Sequence, residues 1–152
     1  MTVFESEATI RWLSSPPAGI PRMTVGSGLL VPALRLSVDP KAASPVATTP
    51  GELLAGAIGT IFAWFVAQDL LEAGMQASEL TADVTLTASN GGEDLTHVAL
   101  NGIAFKLVGR VPNIAEEQLE AIATGAMRRC VETLGLRTER FAIAVETVLE
   151  IG

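Results

Sequence analysis

The sequence predicts an α+β domain in which a long apolar helix packs against an antiparallel β-sheet. Three features predict this class: a capped apolar helix over residues 49–74, alternating apolar and polar stretches on both sides of it, and an amphipathic helix near the C-terminus. The predicted order is βββ-α-ββ-α-β. A chain of 152 residues suits one domain with one core, so residues 1–152 are expected to form a single unit.

Three short strands are predicted before the long helix. Residues 8–12 alternate as a strand does, and the Ser, Pro and Gly residues at 14–19 then interrupt the pattern. Residues 22–25 and 34–38 are the next candidate strands, separated by turn-prone glycines and a proline. The Ala-, Pro-, Ser- and Thr-rich stretch at 39–48 is predicted to be a loop.

The long helix has a predicted start and stop. Thr49 and Glu52 form a capping-box pattern around Pro50, which suits the first helical position because its missing N–H is not needed there. Gly74 can adopt the left-handed conformation that ends a helix. Apolar residues occupy every side of the helical wheel, which predicts a helix buried all round.

A hairpin, an amphipathic helix and a last strand are predicted after the long helix. Residues 80–87 alternate regularly, and a longer strand at 94–110 follows the turn residues Asn90-Gly91-Gly92. Gly102 and Gly109 in that second strand indicate a β-bulge or the close approach of another backbone. The amphipathic helix begins near residues 113–116 and ends at Gly135, and residues 141–151 form the final strand.

Composition limits the classes of partner. With 49% hydrophobic and 18% charged residues, the chain has more apolar surface than a small monomer buries easily, which favours oligomerisation. A net charge of −7 argues against nucleic acid. The apolar run at 53–67 is too short to span a bilayer and lies between Glu52 and Asp69, so no membrane segment is predicted. No signal-peptide pattern begins the chain, and we expect a cytoplasmic protein.

Few side chains of this sequence could act as a nucleophile or a metal ligand. Cys130, the single cysteine, lies on the apolar stripe of the second helix, which predicts a buried structural thiol, with a reactive thiol as the alternative. Nearby Arg128 and Arg129 would favour a thiolate only if they fold toward it. His97 stands without a second ligand, so neither a metal nor a cofactor is predicted. The aromatic cluster of the long helix is predicted to be core, with a pocket lining as the alternative.

A resemblance rests on the residues that open the long helix, Thr48-x-Pro50-x-Glu52-Leu53-Leu54-Ala55. This pattern, after three strands, resembles the OsmC/Ohr family of hydroperoxide reductases, and the element order extends the resemblance over nearly the whole chain. The resemblance implies an OsmC-like fold, an intertwined homodimer, and sites at the subunit interface. It also implies a peroxidatic cysteine in the middle of the buried helix and a resolving cysteine near the end of the next.

This chain departs from the family pattern at the expected site. The peroxidatic position falls on Ile61, while Cys130 falls at the resolving position. The assisting glutamate would be Gly51, and Glu52 points about 100° away around the helix. The family's arginine is matched only loosely by Arg22. The resolving cysteine's usual following proline is replaced by valine. These apolar side chains would either leave an apolar cleft or fill it, and the pocket candidates are Ile58, Ile61, Phe62 and Phe65.

Three functions stay open on the sequence alone. The first is an OsmC-like homodimer without two-cysteine peroxidase activity, with an apolar cleft at the dimer interface and a role in stress or in binding a small apolar ligand. The second is an organic hydroperoxide reductase that works through Cys130 alone and is recycled by an external thiol. The third is a hotdog-like acyl thioesterase or acyl-binding domain, although such folds usually place the helix after one strand and need an acid near it, for which only Glu52 is available.

Overall fold

The computed structural model describes residues 2–13, 22–25, 50–90, 98–136 and 142–151. These residues form β1 (Thr2–Leu13), β2 (Arg22–Val25), α1 (Pro50–Glu72), β3 (Glu79–Asn90), β4 (Val98–Arg110), α2 (Glu116–Thr133) and β5 (Ala142–Leu149). The α+β class and the order of these elements are confirmed. The predicted strand at 34–38, the loop at 39–48, Thr49 and His97 lie outside the described residues.

The strands form one sheet in the order β2-β1-β3-β4-β5. Strand β1 pairs antiparallel with β2 and β3, and β3 pairs antiparallel with β4, which confirms the predicted hairpin. The expectation of an antiparallel sheet is wrong for β5, which pairs parallel with β4. Helix α2 provides the crossover that a parallel pairing requires, so β4, α2 and β5 form a βαβ unit.

The two glycines of β4 have different roles. At Gly102 the register with β3 shifts between Thr87 and Ala88, so this glycine lies at a bulge. A Cβ there would also be 3.3 Å from the carbonyl oxygen of Ala142. At Gly109 the close neighbour is Leu119 of α2, at 3.4 Å from an added Cβ. Both sequence alternatives, a bulge and a close approach, therefore apply.

Both helices end at the glycines that the sequence predicted. Gly74 has φ +73°, and the Met75 N–H donates to the carbonyl of Leu70 at 2.8 Å, as in a Schellman motif. Gly135 has φ +64°, and the Leu136 N–H donates to the carbonyl of Val131 at 3.1 Å. A carbonyl group in the last turn of each helix thus accepts a hydrogen bond from the residue after the glycine.

Helix α1 packs one side against β1 and β3 and another against α2. Its buried residues include Ala55, Ile58, Phe62, Val66 and Leu70, which form a core with the inward side chains of the sheet. The prediction that α1 is buried all round is wrong for a single chain. Large apolar side chains remain exposed on its third side: Leu54, Trp64 and Leu71.

Among the described residues, one helical segment has the length and composition to cross a bilayer. It is Gly51–Glu72, with 22 residues and a mean hydropathy of 1.6, so the sequence argument that the apolar run is too short does not hold for the whole helix. Half of its apolar window is buried inside the protein, as in the core helix of a folded domain. The packing of α1 against the sheet and α2 accounts for this hydropathy.

Candidate functional site

The candidate site lies at the middle of α1, where α2 packs against it. Ile58 and Phe62 point into the core and are almost fully buried. The Phe62 ring packs against that of Phe105, with centroids 4.8 Å apart and an interplanar angle of 44°. These two pocket candidates therefore contribute to the packing between helix and sheet.

The other two pocket candidates reach the surface. Ile61 and Phe65 are partly buried side chains that pack at the margin of the core. The guanidinium carbon of Arg129 lies 4.6 Å from the centre of the Phe65 ring, a cation–π contact. Of the four pocket candidates, therefore, a ligand or another chain can directly touch only Ile61 and Phe65.

Cys130 lies beneath this region and is completely buried. Its Sγ is 3.7 Å from the carbonyl oxygen of Ile58, so α2 places the thiol against the middle turns of α1. Burial raises the pKa of the Cys130 thiol to about 11. Because a thiolate is the nucleophile, a thiol with this pKa is a poor one at neutral pH. The Cys130 sulfur therefore lies near the candidate site, but it is not in the reactive thiolate form.

The arginine beside Cys130 is engaged elsewhere. The Nη2 of Arg129 is 2.6 Å from Oδ1 of Asp69, and it also donates to the carbonyl of Phe65 at 3.3 Å. Arg128 is exposed. The sequence suggested Arg129 as a possible thiolate stabiliser, but its ion pair ties α2 to α1 instead. No sequence signal indicated this pair, because 60 positions separate the two residues and each helix shows only its own periodicity.

Near the start of α1, Glu52 carries a carboxylate, but the position expected for the assisting glutamate does not. Glu52 is a buried side chain, 7% exposed, in the first turn of the helix. Gly51 precedes it, so the position expected for the assisting glutamate carries no side chain. For Arg22, which the sequence matched loosely, the structure describes a backbone position in β2 paired with Arg11.

No cluster of three His, Cys, Asp or Glu residues suited to a metal ion occurs within the part of the chain that the structure describes. Two open crevices lie at the sheet, away from α1. One, of about 460 Å³, includes Ser78 and Ile114, and the other, of about 430 Å³, includes Thr9 and Val108. Arg110 and Glu150 line both, and their side chains form an ion pair of 2.7 Å. None of the four pocket candidates lines either crevice.

Several solved structures that share this architecture are OsmC-like or organic hydroperoxide resistance proteins. An OsmC-like protein from Mycoplasma pneumoniae has a TM-score of 0.58 and 17% identity over 93% of this chain and 94% of its own. An organic hydroperoxide resistance protein from Vibrio cholerae, with captopril bound in one of its active sites, has a TM-score of 0.56 and 23% identity over 90% of each chain. A third, an organic hydroperoxide resistance protein from Elizabethkingia anophelis, has a TM-score of 0.58 and 13% identity over 97% of each.

These likenesses define the class of protein by its fold. The chain has an OsmC-like fold, and the resemblance predicted from the start of α1 is confirmed at that level. No family model matches the sequence, and no curated protein matches it either. At identities of 9–23% the shared feature is architecture, and function has to be argued from the residues at the site.

Proposed function

We propose that this protein is an OsmC-like, stress-related homodimer of the cytoplasm that does not reduce hydroperoxides by two-cysteine chemistry. One observation supports this most strongly: Ile61 occupies the helix position where the family resemblance implies the peroxidatic sulfur. The remaining cysteine is buried and protonated at neutral pH. The names of the structural neighbours support a link to hydroperoxide resistance, and the site residues of this chain argue against the same chemistry.

Two-cysteine reduction depends on the number and state of the sulfur atoms. In that chemistry a thiolate attacks the peroxide, the O–O bond breaks, and an alcohol leaves while the sulfur becomes a sulfenic acid. A second thiol then forms a disulfide and releases water. The chain has one cysteine, so it cannot complete this sequence within a subunit. The aliphatic side chain of Ile61 supplies no nucleophile for the first step.

An apolar ligand is the role that the remaining side chains favour. Ile61 and Phe65 present apolar surface at the margin of α1, and the Arg129 guanidinium covers one face of the Phe65 ring. We propose that a small apolar molecule binds beside these residues, between the two subunits. Mass spectrometry of gently purified, native protein tests this: a co-purified mass that is released on denaturation supports the cleft, and a dimer carrying none, with no uptake of added apolar compounds, contradicts it.

The principal alternative is an organic hydroperoxide reductase that works through Cys130 alone. Burial of Cys130 and its raised pKa oppose this alternative. The hotdog-like thioesterase is less well supported, since the architecture is OsmC-like and Glu52, the acid available near the helix, is buried.

The proposed function is tested by steady-state assay of the purified protein with cumene hydroperoxide and dithiothreitol. We expect consumption of hydroperoxide no faster than in buffer with dithiothreitol alone, for both the native chain and Cys130→Ser. A protein-dependent rate that Cys130→Ser abolishes would establish the single-cysteine reductase instead. Trapping of a sulfenic acid at Cys130 by dimedone in the folded protein would also support that reductase.

A further inference from the structure

Four side chains of alternating charge form a continuous row of ion pairs across the sheet. Its members, here called the ion-pair network, are Arg11 of β1, Glu79 of β3, Arg110 of β4 and Glu150, which follows β5. Nε of Arg11 is 2.9 Å from Oε1 of Glu79, and Nη1 of Arg110 is 3.7 Å from Oε2 of Glu79. Nε of Arg110 donates to Oε2 of Glu150 at 2.7 Å. The network therefore connects β1 and β3 to the end of β5.

The two inner members of the ion-pair network each hold two partners. Glu79 uses both carboxylate oxygens, one for each arginine, and only 18% of its side chain is exposed. Arg110 uses two nitrogens, and its hydrogen bond to Glu150, with the charges of Glu150 and Glu79, raises the pKa of its guanidinium. An isolated exposed ion pair stabilises little, because water screens it and two side chains must be ordered. In the network one ordered side chain serves two contacts, so the four residues should act together.

Strand β5 has less packing to hold it than the other long strands have. Among the described residues it pairs only with β4, and this pairing is parallel, which is slightly less stable per residue than antiparallel pairing. None of its eight residues is fully buried, and its inward side chains Ile143, Val145 and Leu149 are half-buried. Strands β1, β3 and β4 each contribute fully buried side chains to the core. A segment with few buried contacts opens at a lower free energy than the core around it.

The ion-pair network acts at one end of this strand. The Glu150 N–H donates to the carbonyl of Gly109 at 2.9 Å, so the backbone and the side chain of Glu150 both attach the strand end to β4. The middle of β5 has a single ion pair, in which Glu146 lies 3.7 Å from Lys106 and both side chains are exposed. The end of β5 is therefore the better anchored part, and its anchor reaches strands that β5 does not touch.

We infer that the ion-pair network holds the end of β5 on the sheet as one unit, and that β5 opens as a separate segment when the network is broken. Arg110 and Glu150 line both crevices at the sheet, and Leu149 lines the larger one, so this opening changes the walls of both. Salt should weaken the network, because dissolved ions screen exposed charges. The inference is independent of the proposed function, since no member of the network belongs to the candidate site on α1.

Hydrogen exchange of the folded, full-length protein, read by mass spectrometry of its peptides, tests this role. Glu79→Gln removes the central carboxylate charge at nearly constant size, and Glu79 lies on β3, which does not pair with β5. Glu146→Gln is the matched control, because it breaks an ion pair made by β5 itself. We expect the amides of β5 to exchange about three- to tenfold faster in Glu79→Gln, but less than about twofold faster in Glu146→Gln. The amides of α1 should be unaffected in both variants.

Two further measurements test whether the network acts as a unit. In Glu79→Gln combined with Glu150→Gln, the two effects on β5 should be less than multiplicative, because either change alone breaks the same network. About 0.5 M NaCl should speed exchange in β5 of the native chain, a measurement that needs no variant, and should act much less on the double variant.

Four results would overturn the inference. They are an effect of Glu146→Gln on β5 as large as that of Glu79→Gln, faster exchange spread evenly over α1 and β5 in Glu79→Gln, fully multiplicative effects in the double variant, and exchange in native β5 that does not respond to salt.

Discussion

At the scale of single residues, burial makes the thiol of Cys130 a poor nucleophile. Its side chain is enclosed between α1 and α2, with Sγ 3.7 Å from the Ile58 carbonyl oxygen. In this environment, burial disfavours the charged thiolate and raises the thiol pKa from 9.0 to about 11. The sequence indicated a buried, structural cysteine, but it could not show the carbonyl that the thiol meets.

We predict that the folded protein reacts very slowly with thiol reagents. At neutral pH the thiolate fraction is roughly a hundredfold below that of a thiol with its usual pKa, and burial blocks access as well. Iodoacetamide labelling, followed by intact mass, should be almost absent in buffer at about pH 7.5 and complete in urea. Rapid labelling of the folded chain would contradict the burial of Cys130.

The same pKa shift predicts how stability depends on pH. The thiol ionises near pH 9 in the unfolded chain but near pH 11 in the folded one. Its contribution to folding is therefore complete below pH 9 and is lost as the pH rises from 9 toward 11. Chemical unfolding should show a steeper decline over this window for the native chain than for Cys130→Ala; equal slopes would contradict the shift.

Replacing Arg129 and its neighbour Arg128 by alanine gives a test variant and its matched control. Arg129→Ala removes the ion pair with Asp69 and the cation–π contact with Phe65, both partly exposed, and should lower the free energy of unfolding by about 1–2 kcal/mol. Arg128→Ala, at an exposed position, should change it by less than about 0.5 kcal/mol. Urea denaturation measures both. Equal effects would show that Arg129 does not join α2 to α1 as described.

At the scale of elements, Gly59 allows α1 to lie close to the sheet. A Cβ at this position would be 2.9 Å from Cγ1 of Ile10 and 3.1 Å from Cγ2 of Val84. Both neighbouring side chains are buried and β-branched, so they have little room to move. The glycine is a packing requirement, although helix propensity alone would favour alanine there.

We predict that Gly59→Ala lowers the free energy of unfolding by about 1–3 kcal/mol, because overpacking outweighs the gain in helix propensity. Gly125→Ala is the control, since an added Cβ in α2 meets no atom within 4 Å. That variant should be more stable by about 0.5–1 kcal/mol. Thermal and urea unfolding measure both changes, and a stabilising Gly59→Ala would contradict the close approach of α1 to β1 and β3.

The sequence predicted elements better than it predicted their pairing. Period-two alternation located β3 and β4, and Gly74 and Gly135 located the helix ends, because these signals are local. Nothing local distinguishes a parallel from an antiparallel final strand, so the direction of β5 was predicted wrongly. The choice depends on α2 crossing the sheet, which is a property of the whole domain.

At the scale of the whole molecule, the exposed side of α1 is the main uncovered apolar surface among the described residues. The sequence showed apolar residues around the entire helix, and the structure buries only the sides that meet the sheet and α2. The burial prediction was wrong for one chain because the sequence pattern does not say which molecule covers each side. A second copy would complete the burial that the helix composition indicates.

We predict that Ala57→Glu weakens or abolishes the proposed dimer, raising its dissociation constant at least about tenfold, because it places a charge on the exposed side of α1 that carries Leu54 and Trp64. Ala121→Glu is the control: Ala121 is equally an exposed helical alanine but lies on α2. Sedimentation velocity over a range of concentrations measures both. An unchanged dimer in Ala57→Glu would exclude the exposed side of α1 as the interface.

The sequence prediction of the candidate site rests on a missing residue, since Ile61 occupies the position where the resemblance implies a cysteine. The position of Ile61 in α1 and of Cys130 in α2 followed from the resemblance and the helix periodicity. Their different burial did not follow, nor did the engagement of Arg129 by Asp69, since both depend on how the two helices pack. These residues are the basis of the proposal that this OsmC-like chain does not carry out two-cysteine peroxidase chemistry.

A single-turnover thiol count decides whether this chain has lost peroxidatic sulfur chemistry. Folded protein is mixed with one equivalent of cumene hydroperoxide per chain, without reductant, and thiols are then counted with a chromogenic disulfide in denaturant. We expect one intact thiol per chain and unconsumed hydroperoxide. Loss of the thiol together with stoichiometric consumption of hydroperoxide would show that Cys130 retains the chemistry that we infer to be lost.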